Sequence, residues 1–322
     1  AYLSAVRAAE LILRGESLEF CYIEELTVEA FKEAYDNLMA GNSAQEIEGA
    51  FEKEGEVTLS IGGEAVKIKG PKLNRSIVCY DCLIGSIDLR RLILDGGIDF
   101  GDRGTSWKGQ RTHIFGDASF SEVTFRGDAS FWGATFSSYA DFRRATFSGG
   151  ARFEGATFSR AAYFSEATTF SGDADFRKAT FGGGAYFTGA TFSGYAYFRV
   201  ATFSRAAHFW RATFNGNAGF WRATFSGGAR FEGATFSGYA YFTGATFSGN
   251  ASFWGACFLS TNFAAARFEK TCDMRPIVAG RLNLRNAVFT ENLLISTYED
   301  SQKATKIIRE REEKEAVSYT HL

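Results

Sequence analysis

Apolar positions recur along this chain at a spacing too short for a helical repeat. Phe120, Phe125, Phe131, Phe136, Phe142, Phe147, Phe153, Phe158 and Phe164 follow one another in alternating steps of five and six. The series runs to Phe268 and takes up 28 of the 34 Phe in the chain. Ala stands two positions before each of them, except where Val123, Thr168 and Thr261 replace it. Side chains of an extended segment alternate, so Ala(i−2) and Phe(i) share one face. Five or six residues then allow one short strand and one corner. Four such faces make a coil of about 22 residues, and coils stack about 4.8 Å apart in parallel register. Stacking sets Phe over Phe in internal rows, one being Phe136, Phe158, Phe181, Phe203, Phe225 and Phe247, another Phe131, Phe153, Phe176, Phe198, Phe220 and Phe242. Each buried Phe contributes about 1.5–3 kcal/mol, and stacked rings add about 0.5–1.5 kcal/mol. Glycines such as Gly149-Gly150 and Gly182-Gly183-Gly184 suggest corners with positive φ. One fault breaks the rhythm: Phe164 to Phe170 is six where five is due, which predicts a bulge at Thr168-Thr169.

The repeated phrase Gly133-Ala134-Thr135-Phe136-Ser137, returning as Gly155 to Ser159 and as Gly233 to Ser237, resembles the pentapeptide-repeat family. That family's consensus is a small residue, any residue, then Leu or Phe, then two more. The resemblance covers about two thirds of the chain. It implies an all-β solenoid, a right-handed quadrilateral parallel β-helix. The sequence departs from the consensus in its six-residue step on every second face, and it uses Phe rather than Leu of the two central residues the consensus allows.

The flanks extend the picture. Residues 1–15 read as a helix, Leu18-Glu19-Phe20 as a short strand, and Thr27 to Ala40 as a second helix. Ser43 to Glu46 is a capping box for a further helix carrying Ile47 and Phe51. Val57 to Ile61 and Ala65 to Ile68, around Gly62-Gly63, predict a hairpin. Residues 1–70 are thus expected to be a small α/β cap over the exposed edge of the β-helix. The coil is expected over 71–300. It begins before the obvious repeat, with the inward pairs Ile77-x-Cys79, Cys82-x-Ile84, Ile87-x-Leu89, Leu92-x-Leu94 and Ile98-x-Phe100. Residues 101–112 break the pattern as a protruding loop. Cys272-x-Met274, Ile277-x-Ala279, Leu282-x-Leu284, Ala287-x-Phe289 and Leu293-x-Ile295 continue it at the far end. Residues 301–322 are a tail whose stretch Gln302 to Glu315 reads as a helix that docks Ile307 and Ile308 on the last coil. Ala316 to Leu322 resembles a translated sequencing adapter.

Charge changes the picture only locally. The 322 residues carry a net charge of −2, yet residues 118–268 hold 13 basic and 8 acidic side chains. No apolar run reaches the length of a membrane span. No signal peptide is recognisable, although the chain starts at Ala1 rather than Met. Five Cys at irregular spacing suggest reduced thiols and a cytoplasmic setting.

Catalytic chemistry finds little support. Cys79-Tyr80-Asp81-Cys82 is a CxxC without a second pair, and its sulfurs are expected in the core. His113 falls at an inward position before Phe115, His208 points outward, and His321 lies in the tail. None has a triad partner by spacing, and no phosphate-binding fingerprint occurs. A non-enzyme is expected, with no cofactor and no metal site.

The outer surface carries more. On two opposite faces Thr precedes Phe and Ser follows it, as at Thr135/Ser137, Thr157/Ser159, Thr202/Ser204, Thr224/Ser226 and Thr246/Ser248, and opposite at Thr146/Ser148, Thr191/Ser193 and Thr235/Ser237. Such a flat lattice resembles the faces of β-helical ice-binding proteins. A third face carries Tyr195, Tyr197, Arg199, Trp221, Arg222, Tyr239 and Tyr241. A fourth carries Tyr163, Tyr186, His208, Trp210, Arg211, Arg230 and Trp254. Exposed aromatics beside Arg suit partner contact. The expected function is therefore a non-catalytic, rod-shaped scaffold or protein-binding module acting through the third face. An ordered-lattice, ice-binding-like surface on the Thr faces is the alternative, and nucleic acid is a further candidate partner. The family resemblance also implies homodimerisation through a terminal coil. Some members resemble DNA and bind DNA gyrase, but a topoisomerase inhibitor of that kind needs an acidic rod, and this coil is basic.

Overall fold

A computed structural model describes residues 1–41, 44–61, 64–101 and 111–295. The repeat forms an all-β parallel solenoid of about 12 turns. Its strands are mostly two residues long, four to a turn, as in Thr135–Phe136, Ala140–Asp141, Thr146–Phe147 and Ala151–Arg152. Each strand pairs in parallel with the strand one turn away. Thr135 faces Thr157, Thr157 faces Thr180, then Thr202, Thr224 and Thr246 follow in register. Backbone hydrogen bonds run between turns, such as Phe153 N–H to Asp175 O at 2.6 Å and Ser159 N–H to Phe136 O at 2.8 Å.

The interior follows the small-x-large pattern throughout. Every repeat Phe is buried, with the Ala two before it. Along the axis the rings stack face to face: Phe181 to Phe203 at 4.9 Å and Phe203 to Phe225 at 4.7 Å, within 1° of parallel. Across the turn they meet edge to face, as Phe198 and Phe209 do at 5.4 Å and 87°. Both are favoured arrangements of the ring quadrupole. The core is therefore a crystal-like lattice of one side chain.

The corners differ from the sequence expectation. Gly149, Gly150 and Gly182 to Gly184 do not have positive φ. Several of them are small because neighbouring turns touch there: a Cβ on Gly183 would lie 2.2 Å from the Arg160 carbonyl carbon. Positive φ belongs instead to the glycine that opens Gly-Ala-Thr-Phe, as at Gly133, Gly155 and Gly233. Arg144, Lys178, Arg211 and Arg222 occupy the same left-handed corner without being glycine. The extra residue also sits elsewhere. Glu166 and Ala167 both take positive φ and absorb it in the corner, while Thr169 keeps register with Thr146 and Thr191. Thr168, standing in for Ala, is fully buried, and its one hydroxyl proton is shared between two acceptors, Phe142 O (2.7 Å) and Ser165 O (2.9 Å).

The start of the coil is as read, with Ile77, Cys79, Cys82, Ile84, Ile87, Leu89, Leu92, Leu94, Ile98 and Phe100 all buried. The phase at His113 is not. Ile114 is the buried residue and pairs with Phe136, whereas His113 is half-buried and Phe115 exposed. Thr112 fills the Ala-like position, its hydroxyl donating to Cys79 O at 2.7 Å. Most of the predicted 101–112 loop lies outside the described residues.

At the N-terminus, α1 (Ala5–Leu13) is capped by Ser4 and α2 (Val28–Ala40) by Thr27, each accepting a backbone N–H. The expected helix at Ile47 and Phe51 is absent. A 3-10 turn spans Ala44–Glu46, and Phe51 opens the strand Phe51–Ile61, which pairs antiparallel with Glu64–Leu73. Phe51 is drawn into that strand because it packs on Phe31 and Tyr35 of α2. Strands Leu18–Glu19 and Tyr22–Thr27 pair in parallel with Cys79–Tyr80 and Leu83–Asp88, lying along that edge of the first turn. At the other end Phe289 stacks on Phe268 at 4.8 Å. Leu282, Leu293 and Ile295 continue the inward rows but are exposed, because no described residue lies over them. The expected helix Gln302 to Glu315 lies outside the described residues.

Candidate partner-binding face

The strand residue between Ala and Phe points outward, and the residues after Phe turn the corner. Every turn thus presents side chains in fixed rows. One row runs Asp175, Tyr197, Gly219, Tyr241 and Asn262. Tyr195 lies beside Tyr197 with ring centroids 5.8 Å apart, and Tyr239 beside Tyr241 at 6.0 Å. All four tyrosines are exposed. Their corners are fixed by side-chain acceptors: Tyr195 N–H donates to Asp173 Oδ1 and Tyr239 N–H to Asn217 Oδ1, both at 2.9 Å. Burial, then the Asp173 carboxylate, raises the Tyr197 phenol above its ordinary pKa.

Trp221 sits two residues beyond Gly219. The guanidinium of Arg199 lies 4.3 Å from its ring centroid and that of Arg222 4.5 Å. Arg222 reaches it from a left-handed backbone (φ +53°), a conformation that costs about 1–2 kcal/mol for a non-glycine. Among the described residues neither arginine is ion-paired. The seven residues expected at this face are therefore brought together on three successive turns.

The opposite face is built alike. Tyr163, Tyr186 and His208 stack at 4.9 Å each, and Arg211 lies 4.4 Å over Trp210. A shallow groove of about 460 Å³ runs between Arg143, Tyr186 and Trp210. Burial, then the nearby Arg230, lowers the His208 pKa. The Thr rows are less open than expected. Thr124, Thr146 and Thr169 are buried, and Thr135, Thr157, Thr202, Thr224 and Thr246 are half-buried.

Cys79 and Cys82 lie inward as expected, but sequence spacing missed the contact that Cys82 makes. Cys82 Sγ is 3.1 Å from Cys21 Sγ, contributed by the segment before the strand Tyr22–Thr27. That contact, then burial, raises the Cys21 thiol. Cys82 rises to about 12: the Cys21 contact works against the rise, and hydrogen bonding to Cys79 with burial outweighs it. Cys21, Cys79, Cys82 and Cys272 are buried free thiols. Also missed was His113 Nε2 at 2.6 Å from Ser137 Oγ, because the two lie one turn apart in space and 24 residues apart in sequence. Among the described residues no cluster of three or more His, Cys, Asp or Glu is arranged to hold a metal. Nor is any helix there long and apolar enough to cross a membrane.

Interior Phe rows and outward aromatic-basic rows define a Phe-cored parallel β-solenoid. The chain belongs to the pentapeptide-repeat family: the model described as pentapeptide repeats (9 copies) matches in overlapping stretches that span residues 110–267. No curated protein and no solved structure matches it.

Proposed function

We propose that the chain is a non-catalytic, rigid rod that binds a protein partner through the Tyr197/Trp221/Tyr241 face. The observation that carries this reading is the Trp221 ring contacted by two guanidiniums, of Arg199 and Arg222, that form no ion pair among the described residues. Trp, Tyr and Arg dominate binding hot spots, and here the lattice behind them already fixes their positions. In this reading the coil is right-handed and four-sided, and residues 1–70 cap its first edge. Capture on the purified protein, with and without nuclease, tests it against Trp221→Ala combined with Tyr241→Ala. A nuclease-resistant protein lost from the double variant supports the reading. Retention by the variant removes it, and loss on nuclease treatment moves the function to nucleic acid.

A second reading rests on the Thr rows, in register over six turns from Thr135 to Thr246. A lattice of that regularity would order water. It requires thermal hysteresis that disappears with Thr202→Tyr, and no hysteresis at high protein concentration ends it.

A further inference from the structure

Gly219 interrupts the outward row of the Tyr face. It is the only Gly among the 28 residues that directly precede a repeat Phe. The backbone does not demand it. Its φ is not in the left-handed range, and a Cβ there would meet nothing closer than Ala196 O at 4.0 Å. Gly216, three residues earlier, is the contrast: a Cβ on it would lie 2.4 Å from Gly194 O. A glycine inside a strand has no side chain to pack and loses more backbone freedom on folding, so its presence weakens the lattice. Nothing in the packing explains the residue, and what it leaves is a slot.

The slot has the size of one ring. Tyr197 and Tyr241 are two turns apart, about 9.6 Å at the usual strand spacing. On the opposite face the same two-turn span holds a middle ring, Tyr186 between Tyr163 and His208, at 4.9 Å from each. Tyr195 and Tyr239 flank the slot at the corner, with Asn217 between them. Asn217 uses its amide oxygen on Tyr239 N–H, which leaves its NH2 as a donor. Trp221 with Arg199 and Arg222 forms the other rim, cationic and with neither arginine in an ion pair among the described residues.

We propose that the slot over Gly219 receives an aromatic side chain of the protein partner, which completes the row as its missing ring. The partner residue is flanked by Asp or Glu, which meet Arg199 and Arg222, and its backbone carbonyl accepts from Asn217. This rests on the binding face proposed above and names what that face recognises.

The test uses two synthetic acidic peptides that differ only in a central Trp or Leu, titrated into the isotopically labelled full chain. The Trp peptide shifts the Gly219 amide saturably, the Leu peptide binds at least about tenfold more weakly, a loss of about 1.4 kcal/mol, and added salt weakens both. Gly219→Tyr abolishes binding while raising the melting temperature, because it fills the row from within. No saturable shift, equal binding of Leu and Trp, or undiminished binding by Gly219→Tyr overturns the proposal. Should Gly219→Tyr lose its cooperative melt, Tyr197→Ala removes one wall at an exposed position and is expected to lose binding about tenfold; wild-type binding by that variant also overturns it. The two readings separate cleanly. If Trp221→Ala with Tyr241→Ala loses the captured protein and Gly219→Tyr keeps it, the face stands and the slot fails. If neither variant matters, both fall.

Discussion

Between residues 88 and 178 the outward charges of the rod largely hold one another; between 186 and 254 they do not. In the first region Arg90 clamps Asp88, Arg143 clamps Asp141 and Arg177 clamps Asp175, with shortest contacts of 2.6, 2.7 and 2.6 Å. Arg91, Arg144 and Lys178 reach across turns to Glu122, Glu166 and Glu154. In the second region the strand rows that held Asp141 and Asp175 carry Tyr186, His208, Tyr197 and Tyr241, and Arg199, Arg205, Arg211, Arg222 and Arg230 have no ion pair among the described residues. Yet the interiors match, Phe on Phe at 4.8 Å in both (Phe153 on Phe176, Phe198 on Phe220). The fold thus needs only Ala and Phe at their places, and the residue between them is free to vary. Where the acids run out and the rings come in, the surface is left with cations and aromatic edges that an external partner can satisfy.

The largest effects test whether the two regions share one interior. Phe153→Ala in the clamped region and Phe203→Ala in the aromatic region should each cost about 3–5 kcal/mol through the cavity left behind, matching to within about 1 kcal/mol. Urea denaturation of both variants measures this. Unequal costs would mean that the aromatic region is built on a different core. Next comes binding. Trp221→Ala with Tyr241→Ala should lose the partner by well over tenfold, each hot-spot residue being worth about 2 kcal/mol or more. Arg90→Ala in the clamped region should leave affinity unchanged. If Arg90→Ala weakens binding as much, the division into two regions is wrong.

The division was half legible in the sequence. Rows of Phe and the inward Ala follow from a period that only stacked short strands can satisfy, and the seven face residues follow from the same phase. What failed were places where tertiary contact overrides local pattern. Phe51 follows a capping box yet joins a strand, because α2 offers it Phe31 and Tyr35. Phe115 looks like a repeat Phe, but the turn beneath it needs Ile114 over Ile84. Gly183 looks like a turn residue, but it is small for the neighbouring turn and not for its own φ. Gly219 was legible in principle, as the one missing side chain among the 28 positions before a repeat Phe, and becomes informative only once its open surroundings are seen.

Smaller effects sharpen the charge contrast. Asp175→Asn removes the Arg177 clamp and should cost about 0.2–1 kcal/mol at low salt, since both side chains are at least partly exposed. The cost should fade at 1 M salt, where the screening length is about 3 Å. Arg222→Ala, which breaks no ion pair, should show no such fading. A melting series of both variants across salt reads the difference directly.

The smallest effect lies at His208, where the aromatic row meets Arg230. Burial and then that arginine lower its folded pKa below the ordinary 6.5, with Glu232 opposing. The folded protein therefore binds this proton less readily than the unfolded chain. Stability is at full value above about pH 6.5 and falls as the pH drops through that unfolded value toward the lower folded one. His208→Tyr continues the Tyr163–Tyr186 stack with a group that does not titrate there. The melting temperature of the wild type should accordingly decline relative to His208→Tyr between pH 7 and pH 5.5. The opposite trend would mean that Glu232 outweighs burial and Arg230, so that the aromatic region neutralises its own cation after all, as the clamped region does.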